Sequence, residues 1–89
     1  MSAFAPNSTE GSRFRVVPDP PVAGKPVEVT YIGPASEVEY QVDGHKPIKV
    51  KPDKNGKFKI ATLPAGDEIM FSDNRGLPGY LHKKIILLD

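Results

Sequence analysis

Short apolar runs that alternate residue by residue, prolines and glycines spread between them, and the lack of any helical period predict an all-β chain. The expected architecture is an antiparallel β-sandwich of about seven strands. Ten Pro and eight Gly punctuate 89 residues, a usage that suits turns between strands better than a helix interior. Nowhere do apolar residues recur at i, i+3, i+4 and i+7 for long, so no helix beyond about two turns is expected. Alternation is cleanest from Glu37 to Ile60. Val38, Tyr40 and Val42, then Ile48 and Val50, then Phe58 and Ile60 each occupy every second position. Side chains two apart on a strand share a face, so these three runs are expected to form a three-stranded antiparallel meander with one dry side.

The meander implies a register. Val42 opposite Ile48 and Tyr40 opposite Val50 leave Gly44, His45 and Lys46 as a loop. Val50 opposite Phe58 and Ile48 opposite Ile60 leave Asp53, Lys54 and Asn55 at a tip, with Gly56 free to take positive φ. A shift by one residue would turn Lys49, Lys51, Lys57 and Lys59 inward, which the burial of unpaired charge forbids.

The remaining elements follow in chain order. Residues 1–12 are small and polar and read as a disordered leader or linker; Asn7-Ser8-Thr9 matches a glycosylation acceptor, a short pattern that arises often by chance. A first strand near 13–17 carries Phe14 and Val16 on one face. Pro18, Pro20 and Pro21 then withhold backbone donors, so this run is expected at an edge or in an extended crossing. Val27, Val29 and Tyr31 face inward on a strand near 26–32, and Ile69 and Phe71 on one near 67–72. The longest irregular connection is Asp73-Asn74-Arg75-Gly76-Leu77-Pro78-Gly79. A last strand near 80–88 ends in the unbroken apolar run Ile85-Ile86-Leu87-Leu88, the pattern of a strand covered on both faces or used as an interface.

Composition bounds the function. The chain makes one domain, expected over residues 13–89, that buries about 60–65 % of the surface of its unfolded form. Without Cys there is no disulfide, thiol catalysis or cysteine metal site, and the compartment stays undecided. A formal charge of +1 gives no overall pull toward nucleic acid or membrane. No segment is apolar enough to span a bilayer, and the N-terminus lacks a basic-then-apolar signal pattern.

Two family resemblances overlap. Gly24-Lys25-Pro26-Val27-x-Val29-x-Tyr31 and Phe58-x-Ile60-x-x-Leu63-Pro64-x-Gly66-x-x-Ile69-x-Phe71 resemble strand and turn segments of bacterial immunoglobulin-like and fibronectin type III-like modules. That resemblance implies an immunoglobulin-like sandwich with no catalytic residues. Ile69 stands where the family places a corner tyrosine, and the family's buried tryptophan is absent. Asn55-Gly56-Lys57-Phe58-x-Ile60-x-x-Leu63-Pro64-Ala65-Gly66, with Gly79-Tyr80 later, is similar to the transthyretin-like domains that accompany carboxypeptidases and bacterial surface proteins. Either implies a β-sandwich.

Charge supplies the main candidate site. Lys46, Lys49, Lys51, Lys54, Lys57 and Lys59 fall within fourteen residues that hold a single acid, Asp53. In the expected register Lys49 faces Lys59 and Lys51 faces Lys57, a repulsion that Glu39 relieves in part and a polyanion would relieve further. Nucleic-acid binding would add stacking aromatics or arginines, which this face lacks. The competing explanation is a solvated face that keeps the sheet soluble. Tyr80, with His82 two residues on, is the candidate for a sugar or partner contact. Asp53-Lys54-Asn55-Gly56 and Asp73-Asn74-Arg75-Gly76 have calcium-loop composition without the closing acid, and read as turns. His45 and His82 lack a third ligand, so no metal and no cofactor is expected, nor any enzymatic activity.

The expectation is therefore a monomeric, non-catalytic structural or interaction module of the kind found in bacterial extracellular or surface proteins. Its partner would be a protein or a neighbouring domain. The alternative is a binding module for acidic polysaccharide or another polyanion through Lys46, Lys49, Lys51, Lys57 and Lys59.

Overall fold

In the computed structural model, which describes residues 12–75 and 80–87, the strands are β1 (Phe14–Val17), β2 (Val27–Tyr31), β3 (Val38–Val42), β4 (Ile48–Val50), β5 (Lys57–Ile60), β6 (Glu68–Ser72) and β7 (Tyr80–Lys84). The described residues contain no helix. All strand pairs are antiparallel, and they form two sheets, β1-β2-β5 and β4-β3-β6-β7. The sheets close face to face over one core. Phe14, Val16, Val27, Val29, Tyr31 and Ile60 come from the first sheet; Val38, Val42, Ile69, Phe71 and Leu81 come from the second. The expected sandwich is present, with its strands close to their expected places.

The expected meander is not. β3 and β4 form a hairpin, but β5 leaves it and pairs with β2 in the other sheet, setting Phe58 opposite Val29 and Ile60 opposite Val27. Either sheet turns Lys49, Lys57 and Lys59 to water and the apolar residues between them inward, so alternation alone cannot say which sheet a strand joins. Partner length and chemistry decide: β4 has three residues and Pro52 follows it without an N–H, whereas β2 offers a five-residue strand whose Val27, Val29 and Tyr31 are all buried. The turn chemistry survives the change of partner. Gly56 takes φ +78° and donates to the Asp53 carbonyl at 2.8 Å, with the turn now linking two sheets.

The β3–β4 hairpin also differs from expectation by two residues. Tyr40 lies opposite Ile48 and Val38 opposite Val50, where Val42 opposite Ile48 was expected. A slip of two keeps every side chain on its face, so the apolar pattern cannot detect it. The turn sets the register: the His45 amide donates to the Val42 carbonyl at 2.9 Å, with Gly44 at φ +88°, and the Gln41 side-chain Nε2 donates to the His45 carbonyl at 2.9 Å.

Of the two places expected for the proline run, an edge or an extended crossing, it takes the crossing. After β1 the chain passes from the first sheet to the edge of the second, where Val22 makes a parallel bridge to Ile86. The Val17–Pro18 and Asp19–Pro20 bonds on the way are cis. That bridge changes the reading of the C-terminal run. β7 ends at Lys84 rather than Leu88, Ile85 enters the core, and the backbone edge at Ile86 is already taken by Pro21 and Ala23. Leu88 and the expected leader lie outside the described residues, except Ser12, which is buried and accepts the Phe14 amide through its hydroxyl.

Candidate interaction surfaces

The lysine cluster does not form one face. Lys49 projects from the four-stranded sheet opposite Glu39, while Lys59 and Lys57 project from the three-stranded sheet opposite Glu28 and Thr30. The expected repulsive pairs, Lys49 with Lys59 and Lys51 with Lys57, are therefore absent, and two of these lysines have an acid across the strand. β4 is an edge of its sheet and β5 an edge of the other. The Tyr40 and Phe58 rings, stacked at 6.3 Å, bridge the two sheets on that side. Lys46, Lys51 and Lys54 sit in the connections that flank the same side, all exposed. Structure thus gathers the lysines along an open edge of the sandwich. The lip of that edge is apolar: Ile48 is 46 % exposed, and Tyr40, Val50 and Phe58 are partly buried against the core.

Tyr80 and His82 do share a face, the outer side of the four-stranded sheet. There Tyr80 lies opposite Ser72 and His82 opposite Met70. His82 Nδ1 sits 3.1 Å from Glu68 Oε1, both exposed. Gln41, Asp43, Asp67, Glu68, Met70 and His82 line a shallow groove of about 440 Å³, so the groove is acidic, although Lys84 lies opposite Glu68 on the same face. His45 is exposed in its turn, with Nε2 2.9 Å from the Ala65 carbonyl.

Two charged sites escaped the sequence reading because their partners are remote in the chain. Asp73, expected in a turn, is buried; its carboxylate accepts the Tyr31 hydroxyl at 2.6 Å, the Arg13 guanidinium at 3.2 Å and the Arg75 amide at 3.0 Å. Tyr31 in turn accepts the Ala35 amide at 3.0 Å. Burial, then the bond to Asp73, pushes the Tyr31 phenol above its ordinary value. Lys83 is 1 % exposed and reaches Asp19, on the proline crossing, at 2.8 Å. Only its inward position two residues after Leu81 could have signalled it. By contrast Asp53 does what its turn motif suggests: it accepts the Lys57 and Asn55 amides at 2.9 and 2.8 Å, and those bonds hold its carboxyl below the usual range.

The chain finds no match among protein-family models, curated proteins or solved structures.

Proposed function

We propose that the chain is a non-catalytic structural or interaction module on an immunoglobulin-like sandwich, of the kind found in bacterial extracellular or surface proteins. The sheet order carries this reading. Immunoglobulin-type sandwiches put their third, sixth and seventh core strands in one sheet and their first, second, fourth and fifth in the other, and the variable type adds strands beside the third, the place that β4 takes here in lieu of a fourth strand in the other sheet. Here β3, β6 and β7 share a sheet with β4 added at the β3 edge, and β1, β2 and β5 share the other. The buried ions also favour a scaffold role, because Asp73 and Lys83 tie loops to strands. A self-sufficient module sediments as a monomer and loses far- and near-ultraviolet dichroism in one transition. Obligate self-association, or two separate transitions, would overturn the reading.

The gathered lysines favour a second reading, a weak polyanion-binding surface at Lys46, Lys49, Lys51, Lys57 and Lys59. Retention on heparin or polyuronate that falls steeply with salt and disappears on changing these five to Gln supports it. Passage through the column unretained at low salt removes it.

A further inference from the structure

We infer that the outer edge of β4 is a docking site for an extended acidic segment of a partner protein, which adds to the four-stranded sheet as a further strand. The inference rests on the interaction-module reading above and names the partner's chemistry. Strand addition needs outward N–H and C=O groups that are not already capped. Backbone groups alternate in direction along an antiparallel strand, so the bonds on the inner side fix what faces out. The Asp43 amide donates to Glu68 of β6; Asp43, Gln41 and Glu39 therefore point their backbone groups at β6, and Val38 and Tyr40 point theirs at β4. Ile48 and Val50, opposite Tyr40 and Val38, face back toward β3. The amide and carbonyl of Lys49 are left pointing outward; Pro47, the outward position before it, offers a carbonyl but no N–H.

The other three outer edges are each closed at one residue, while by the same alternation Val16 on β1, Lys59 on β5 and His82 on β7 also point outward; what sets β4 apart is its flanking charge and its exposed Ile48. On β1 the Phe14 amide is held by the Ser12 hydroxyl, and its carbonyl accepts the Arg15 guanidinium. On β5 the outward amide and carbonyl of Lys57 are closed by Asp53. Beyond β7 the edge at Ile86 is taken by Pro21 and Ala23. At β4, side chains replace caps. Lys46, Lys49, Lys51 and Lys54 would repel a second copy of this edge and attract an acidic strand, so the same charges reject self-pairing and select a partner. Ile48, with Val50 and Phe58 behind it, receives the partner's inward apolar side chains. The occupant is accordingly a short extended peptide that alternates Glu or Asp with Val or Ile.

A fluorescein-labelled peptide of that alternating composition, titrated at low salt against the 89-residue chain, provides the test. Binding is expected to shift the Lys49 and Lys51 amide resonances and to slow amide exchange at Lys49. Affinity should fall at least about tenfold when Lys49 becomes Pro, which removes the outward donor while its inward neighbours keep β3, or when the peptide is N-methylated at alternate residues. Lys49→Gln and Lys51→Gln should weaken binding less and flatten its salt dependence. Absence of binding, shifts confined to other strands, or a heparin fragment binding as well as the peptide with no effect of N-methylation would each overturn strand addition. Sedimentation and melting of the same samples separate that failure from failure of the module reading, since a monomer with a single melting transition keeps the latter intact.

Discussion

At the scale of single residues, the group that most constrains this fold is the Asp73 carboxylate. It gathers Arg13 from before β1, Tyr31 from the end of β2 and the Arg75 amide from its own loop, so one end of the sandwich closes on a single buried charge. Breaking a buried pair leaves its partners unsatisfied. Arg13 is partly exposed and can turn to water, which softens the loss, so Asp73→Ala should cost about 2–4 kcal/mol by urea denaturation. Tyr31→Phe removes one donor and should cost about 1–2 kcal/mol. The phenol adds a pH signature. Because the folded state raises the Tyr31 pKa, the native form holds its proton more tightly than the unfolded chain. The associated stability is complete below the ordinary tyrosine value near 10 and is lost as pH rises through the folded value. Tyr40, raised by burial, contributes in the same direction. Melting measured between pH 8 and 11 should fall less steeply for Tyr31→Phe than for the parent; equal slopes would show that the phenol does not titrate with folding.

At the scale of elements, the strands were legible in the sequence and their sheet membership was not. Alternation at Val38, Tyr40 and Val42, or at Phe58 and Ile60, reports only that one side of a strand is dry, and in a two-sheet sandwich either sheet supplies that dryness. The same blindness hid the two-residue slip between β3 and β4. The lysine cluster inherited both errors: the face it was expected to share was drawn from a pairing that does not occur, and its strand members fall on two sheets. Pro18, Pro20 and Pro21 narrowed their run to an edge or an extended crossing because missing donors are a local property, and the crossing is what occurs. What that crossing covers was not readable, since nothing near Asp19 in sequence points to Lys83. The strap and the lysine make a prediction of their own. A buried ion pair costs desolvation that its attraction only partly offsets, so an apolar residue of similar length serves as well. Lys83→Met should leave stability within about 1 kcal/mol of the parent or raise it, whereas Asp19→Ala, which takes one acceptor from the buried ammonium, should lower it by about 1–2 kcal/mol. Asp19 is half-exposed, which keeps the second figure small. Equal losses for both would mean that the pair, rather than the burial of the stem, holds the crossing in place.

At the scale of the whole molecule, the two sheets depend on each other because their aromatic residues form one cluster. Phe71, on β6, touches Phe14 of β1 at 5.4 Å between ring centres, Tyr40 of β3 at 6.3 Å and Phe58 of β5 at 6.5 Å. It is the point where both sheets and both sides of the sandwich meet. A domain of this size is stable by about 5–10 kcal/mol, and truncating a buried Phe to Ala costs about 3–5 kcal/mol. Phe71→Ala should therefore remove roughly half the stability and lower the urea midpoint in proportion, with the slope unchanged. Neither sheet alone has a second face to bury its apolar residues against, so the loss cannot be confined to one of them. In the variant, far-ultraviolet dichroism and the tyrosine near-ultraviolet signal should still fall together in one transition, at a lower midpoint. A strand signal that outlasted the tyrosine signal would show that one sheet holds without the other, and that the shared core is not what joins them.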